Sequence, residues 1–369
     1  MRKILFWLHL TAGILGGLPI LSMCVTGTLL TYERQINAWA DRGSVDFTPP
    51  GATPTMSPEQ LLTAVRRASG ANIGTAVLYA NSKQPTEIPA GAEGTLLVDP
   101  SSGRILGRAA TGTRRFFRTV QDWHRWLGAT GKHRAAPGAI MDAANLVFFV
   151  LVLSGLFLWL PRKMTWQHFR PALLFRRGLR GKARDFNWHH VIGIWAWLPL
   201  LVVTGSGLVL SYQWAIKLTY ILTGSAIPAQ LRRAPVATVE GAPPLEGLDQ
   251  AWATVAAKAP GWASIRIQLP NATSDPLTFI IDTGDGGQPQ ARSTLVVDRR
   301  TAKEISWTPF SASNRGQQLR IWLRYAHTGE SLGIAGQTIA GLATAGGAMM
   351  MYTGFALGLR RLLAWRNRR

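Results

Sequence analysis

The chain holds one cysteine, Cys24, in 369 residues. A single thiol excludes an internal disulfide, a CxxCH haem attachment and a cysteine-rich zinc or iron–sulfur centre, and leaves Cys24 as a small packing residue. Charge is scarce too. Asp, Glu, Lys and Arg make up 16% of the residues, against about 25% in a typical soluble domain. Four stretches have none at all: Ile4 to Tyr32, Ala143 to Pro161, Phe186 to Ile216 and Ser331 to Leu359. Each reaches the roughly 18–20 residues that cross a hydrocarbon core about 30 Å thick. These runs exclude a soluble monomer. No strand-linked GxGxxG, P-loop, HExxH or GxSxG occurs, so the usual marks of nucleotide binding, zinc hydrolysis and serine hydrolysis are missing.

Acids are the scarcer sign, 19 against 40 bases, for a formal net charge of +21. Two bases precede the first apolar run, eight lie between 161 and 187, and five lie in the last ten positions, with Asp185 the only acid among them. The long segments 33–135 and 217–330 together set 25 bases against 17 acids. Bases gathered in short loops and tails form the positive-inside pattern. It puts both termini and the 161–187 connection in the cytoplasm and both long segments outside. The charge is thereby explained without a nucleic-acid partner. Arg2 and Lys3, an apolar run and Ala38-Trp39-Ala40 also resemble a cleaved secretory signal. The run to Leu30 is about twice the usual h-region and holds His9 and Pro19, so it reads as a retained first span.

The two long segments repeat one pattern. In the first, Ser57-Pro58-Glu59 opens a helical run through Ala68, followed by strand-like Thr95-Leu96-Leu97-Val98 and a turn from Asp99 to Gly103. In the second, a helical run from Leu248 to Ala257 precedes Ser293-Thr294-Leu295-Val296-Val297 and a turn from Asp298 to Thr301. Each half reads as span, small α+β outer module, short amphipathic helix, span. The expected fold is a membrane α-helical, four-helix transmembrane bundle made of two repeated halves. Its first half comprises a span at 1–36, a module at 37–112, a helix with His124 at 113–135 and a span at 136–161. A basic cytoplasmic loop, 162–187, leads to the second half. There the span is 188–216, the module 217–314, the helix with His327 315–330 and the last span 331–360, before a basic tail at 361–369.

Seven histidines follow this repeat: His9, His124, His133, His168, His189, His190 and His327. Spans 1 and 3 start in the cytoplasm, so His9 and His189 share the inner leaflet. Spans 2 and 4 start outside, so His124 and His327 share the outer side. Ionisable groups at membrane depth point to function, and imidazole suits zinc, copper or iron. A small ion wants further ligands, and no Asp, Glu or Cys accompanies either pair. Haem iron needs only two axial donors, because the porphyrin supplies four. Gly13, Gly128 and Gly193 each follow a histidine by four residues, and a glycine one helical turn away leaves room for a flat macrocycle. Trp7, Trp123, Trp126 and Trp188 stand within two residues of these histidines, placed to pack the ring or to anchor span ends. Arg114, Arg115, Arg118, Arg125, Arg320 and Arg324 flank the outer pair, as propionate partners or as a solvated face. His190 lacks a glycine at the fourth position, and His133 and His168 read as solvated loop residues. The cytoplasmic parts are too short for a flavin or nicotinamide domain, so an inner electron donor would be another molecule.

At these residues the chain resembles the PepSY-associated transmembrane proteins. The resemblance rests on Trp7-Leu8-His9-Leu10-Thr11-Ala12-Gly13, Asp122-Trp123-His124-Arg125-Trp126-Leu127-Gly128, Asn187-Trp188-His189-His190-Val191-Ile192-Gly193 and Ala326-His327-Thr328-Gly329-Glu330. It covers nearly the whole chain, and the outer segments look like PepSY modules. That family includes inner-membrane siderophore reductases of the FoxB type. The resemblance implies two bis-histidine b haems, His9 and His189 holding the inner iron and His124 and His327 the outer one. It also implies a bacterial inner-membrane oxidoreductase that takes electrons from an unidentified cytoplasmic donor. The acceptor would be Fe(III) in a periplasmic siderophore or other chelate, released as Fe(II). His190 stands where the family more often has Arg, so His189 and His190 both stay open as the ligand. Two other classes remain: a PepSY-type regulator that binds or inhibits a peptidase without redox activity, and a haem carrier passing electrons to a periplasmic protein.

Overall fold

The computed structural model describes residues 1–47, 55–80, 84–91, 94–161, 165–228, 242–272 and 274–367. In chain order they begin with α1 (Arg2–Leu30), α2 (Glu33–Gly43) and α3 (Pro58–Ser69). Four strands follow, β1 (Thr75–Tyr79), β2 (Thr86–Pro89), β3 (Thr95–Val98) and β4 (Ile105–Arg108). Then come α4 (Thr111–Trp126), α5 (Ala135–Trp159), α6 (Trp166–Leu173), α7 (Gly181–Ser211), α8 (Gln213–Leu222) and α9 (Leu248–Lys258). The strands β5 (Ser264–Gln268), β6 (Leu277–Asp282), β7 (Arg292–Val297) and β8 (Glu304–Pro309) precede α10 (Arg315–His327) and α11 (Gly333–Arg366). The chain divides into two units, one built from 1–33, 116–219 and 319–369, the other from 34–115 and 220–318.

In the first unit α1, α5, α7 and α11 pack in a ring, each against two others. The described residues contain four helical segments long and apolar enough to cross a membrane: Arg2–Leu30, Gly131–Trp159, Gly181–Ser211 and Glu330–Arg366. Leu15, Leu18, Trp195 and Leu342 are each more than two-thirds exposed. The interior holds Ile20, Cys24, Phe148, Leu200 and Met351 beside small residues. Apolar side chains outside and close helix contacts through small ones suit a bundle whose solvent is lipid. A side chain at Gly17 would collide with Phe355, and one at Gly347 would lie 2.9 Å from the Cys24 sulfur. Cys24 is thus a buried packing residue.

In the second unit the eight strands form one antiparallel sheet, in the order β4-β3-β2-β1-β5-β6-β7-β8. This corrects the expectation of two separate modules. The first strand of each segment lies at the edge of its own four. There Thr75 to Tyr79 pair with Gln268 to Ser264, satisfying the backbone groups that two open edges would leave unpaired. Helices α3 and α9 share a single core with the strands, including Leu61, Val65, Leu248, Val255, Ile265, Phe279 and Leu295. Ser57 caps α3 by accepting from the Gln60 N–H. Asp249, in the first turn of α9, accepts from the Glu59 N–H at 2.8 Å and from the Ser57 hydroxyl. The turns after β3 and β7 are built alike. Asp99 accepts from the Ser101 N–H and hydroxyl, as Asp298 does from those of Thr301, and each strand shifts register just before its aspartate.

Other boundaries differ from the sequence layout. The 162–187 connection contains α6 and the first turns of α7, which starts at Gly181. Asp185 is fully buried there and accepts from Arg184 and Arg360, so its charge is met within the bundle. The third span ends at Ser211, and α8 begins two residues later.

Candidate cofactor site: two pairs of histidines

His9 lies on α1, His189 on α7, His124 two residues before the end of α4, and His327 at the last position of α10. As whole residues all four are half-buried. Each is held through Nδ1 by a neighbouring helix. His9 Nδ1 lies 2.8 Å from Ser154 Oγ on α5, and His124 Nδ1 2.9 Å from Thr26 Oγ1 on α1. His189 Nδ1 lies 3.0 Å from Thr353 Oγ1 on α11. His327 Nδ1 lies 2.9 Å from the Val203 carbonyl and 3.3 Å from Ser206 Oγ, both on α7.

The rings of His124 and His327 are centred 6.4 Å apart, with an interplanar angle of 60°. His9 and His189 lie close enough to interact electrostatically. Both members of the first pair lie outside the spanning helices, and both are held neutral at pH 7. Burial lowers His124 to about 4, with the His327 charge adding to it, and burial likewise lowers His327. Neutral imidazole is the form that binds a metal. Among the described residues no group of three or more His, Cys, Asp and Glu comes together.

The glycines do not all sit as the spacing suggests. Gly13 faces open space. A β-carbon at Gly193 would lie 3.4 Å from the Met350 sulfur. Gly128 is beyond the helix, because α4 ends at Trp126. Leu127 and Gly128 both have positive φ, 50° and 80°, and the Gly128 N–H donates to the Asp122 carbonyl at 3.1 Å. Gly128 is therefore a helix terminator, and the four-residue count from His124 puts no groove beside the ring. A β-carbon there would press on the Trp123 indole at 3.0 Å.

Several of the aromatic and basic neighbours have partners of their own. Arg361 stacks on Phe6 and Trp7, Arg125 and Arg134 cover Trp126, and Arg184 lies over Trp188. These are the contacts of span-end anchors. Arg114 is ion-paired with Asp41. Arg125 is the one cation of the six whose charge acts on both His124 and His327. His190 stacks on Phe186, with ring centres 4.4 Å apart. His133 is exposed in a short 3-10 turn, Gly131–Arg134. His168 stands in α6, a helix and not a loop, and its side chain lies outside the described residues.

Sequence reasoning missed the hydroxyl partners. Each span carries one Ser/Thr–Gly pair that serves a histidine: Thr26-Gly27, Ser154-Gly155, Ser206-Gly207 and Thr353-Gly354. At Gly27, Gly155 and Gly354 the nearest atom to an added β-carbon is Cε1 of the served histidine, at 3.4, 3.5 and 3.6 Å. At Gly207 it is Asn145. The signal was available: His9, Gly13, Pro19, Thr26 and Gly27 recur as His189, Gly193, Pro199, Ser206 and Gly207, each 180 residues on.

Four apolar bundle helices define the class: this is a multi-pass membrane protein. The family model described as the PepSY-associated TM region matches residues 6–361, and the chain belongs to that family. Comparison with curated proteins finds no match.

Proposed function

We propose that this protein is a di-haem b electron carrier of the bacterial inner membrane, with both termini cytoplasmic. It would take electrons from a cytoplasmic donor and reduce Fe(III) in a periplasmic siderophore to Fe(II). The observation that carries this reading is the His124–His327 pair. An imidazole nitrogen bonds a metal at about 2.0–2.1 Å and lies a little over 1 Å from its ring centre. Two rings ligating one metal from opposite sides are thus centred roughly 6–6.5 Å apart, and these are 6.4 Å apart. Two neutral donors with no third protein ligand among the described residues suit an iron whose other four positions are filled by a macrocycle. The residues fit such a group.

Bound haem would supply a one-electron Fe(III)/Fe(II) couple at each of two depths. The chain's part is to hold and separate them. His9 and the Thr26 that orients His124 are 17 residues apart on α1, which is roughly 25 Å along a helix. His189 and Ser206 repeat that spacing on α7. Arg125, whose charge acts on both outer imidazoles, would be a propionate partner. The outer unit, a sheet flanked by α3 and α9, is the PepSY-like part in this reading. Reduction favours release because the hard oxygen donors of a siderophore hold Fe(III) better than Fe(II).

Absorption spectra of the detergent-purified protein, oxidised and dithionite-reduced, test the cofactor. Two b-type haems per chain are expected, falling to one in His9→Ala or His124→Ala. No haem after expression with ample haem supply refutes the redox reading and leaves a PepSY-type regulator. Haem that no ferric siderophore reoxidises removes the substrate half and favours a carrier to a periplasmic protein.

A further inference from the structure

Each of the four hydroxyls that touch a histidine has already given away its proton. Thr26 Oγ1 donates to the Ser22 carbonyl at 2.6 Å, and Ser154 Oγ to Val150 at 2.7 Å. Ser206 Oγ donates to Val202 at 2.6 Å, and Thr353 Oγ1 to Met349 at 2.9 Å. These are bonds to the carbonyl four residues back in the same helix. A hydroxyl has one proton and two lone pairs. With the proton spent, the oxygen can only accept from the imidazole, so the histidine must carry its proton on Nδ1. For His327 the Val203 carbonyl, an acceptor only, requires the same. A neutral imidazole protonated on Nδ1 presents Nε2 as a bare lone pair.

We propose that Thr26, Ser154, Ser206 and Thr353 are positioning residues that hold all four histidines in the Nδ1–H tautomer, leaving Nε2 as the ligand atom. The proposal rests on the di-haem reading for what Nε2 binds. The wiring is crossed within each half. His9 on α1 is held by α5, and His124, ahead of α5, is held by α1. His189 on α7 is held by α11, and His327, ahead of α11, by α7. Each pair therefore joins one imidazole oriented by α1 and α5 to one oriented by α7 and α11. The proposal also selects His189 over His190, which stacks on the Phe186 ring and has no hydroxyl partner among the described residues. The glycine after Thr26, Ser154 and Thr353 lets the imidazole edge approach the helix backbone, while Gly207 makes room for Asn145.

The four positions are not equivalent, and that supplies the test. His327 also donates to the Val203 carbonyl, His124 to that of Met23 and His189 to that of Met350, whereas no such second acceptor is seen for His9 among the described residues. Ser154→Ala should weaken retention of one haem by about 10–100-fold, as loss of such a partner does at other metal sites, and shift the midpoint potential of that haem only. Thr26→Val, Ser206→Ala and Thr353→Val, whose histidines keep a carbonyl acceptor, should change both by less. Ser154→Thr, which keeps the hydroxyl, should retain the wild-type values and exclude a folding defect. Haem content and both potentials unchanged in all four deletion variants would overturn the proposal. Side-chain 15N shifts of histidine-labelled protein prepared without haem read the tautomer directly. Nδ1–H at His9, His124, His189 and His327 supports the proposal even if wild type binds no haem, an outcome that defeats only the di-haem reading. Nε2–H at these four defeats the proposal whether or not haem binds.

Discussion

Gly13 and Gly128 stand at the same sequence distance from their histidines, and the structure predicts opposite responses to alanine. Gly13 is inside α1, and nothing lies within 4 Å of an added β-carbon. Alanine there removes the entropic penalty of a helical glycine, a gain of about 0.8–1 kcal/mol. Gly128 has φ +80°, and a β-carbon would meet the Trp123 indole at 3.0 Å. The left-handed conformation costs a non-glycine residue about 1–2 kcal/mol, and the tight contact adds to it. The two variants should thus differ by roughly 2–3 kcal/mol in the cofactor-free protein. Thermal unfolding in detergent, followed by circular dichroism and run without and with haem, measures this. Gly13→Ala should raise the midpoint without haem. If the open space beside Gly13 is where the macrocycle lies, the same variant should hold less haem. Gly128→Ala should lower the midpoint in both states, and Gly128→Asn, which tolerates the left-handed region, should lower it less. A neutral Gly128→Ala, or a destabilising Gly13→Ala without haem, would refute this reasoning.

Asp249→Ala removes the acceptor that α9 offers to Glu59 N–H and Ser57 at the start of α3, and should cost about 0.5–2 kcal/mol; limited proteolysis of the full chain would report it as faster cleavage near Ser57. Acid should loosen the two aspartate turns. Burial works to raise the Asp99 carboxyl, but hydrogen bonds from Ser101 and Ser102 and the Arg104 charge outweigh it, while hydrogen bonds from Thr301 lower Asp298. A carboxyl lowered on folding contributes stability that is present above the unfolded value, about 3.9, and is lost as pH falls through the folded one. Asp99→Asn should flatten the fall in unfolding temperature below about pH 4, and a wild-type curve that stays flat there contradicts the assignment.

The spans were legible because lipid demands long uncharged runs, and the histidines because an imidazole inside such a run is costly without a task. The strand-like Thr95–Val98 and Ser293–Val297 also announced themselves by their β-branched residues and turns. Their union in one sheet did not. It depends on β1 meeting β5 far along the chain, and no local pattern records which edge a strand will choose. Counting four residues on from His124 failed because it assumed a helix through Gly128, where Leu127 and Gly128 had already turned left-handed. The hydroxyls escaped notice because Ser and Thr in a membrane helix usually satisfy themselves on their own backbone. Here they do that and accept a second bond, so only the packing of neighbouring helices distinguishes Ser154 from any other serine.

The seam between β1 and β5 also sets a timetable for the growing chain. Tyr79 pairs with Ser264, and at about 5–20 residues per second the partner emerges roughly 10–40 s after β1 does. Through that interval the edge of Thr75-Ala76-Val77-Leu78-Tyr79, an apolar strand with its peptide groups unmatched, is open to any extended segment nearby. Two transmembrane helices, α5 and α7, are made in between. The first four strands therefore wait for their counterpart while the membrane half of the protein is still being threaded. A newborn chain is open to mispairing at this edge, and the second segment acts for the first as a built-in chaperone that arrives late.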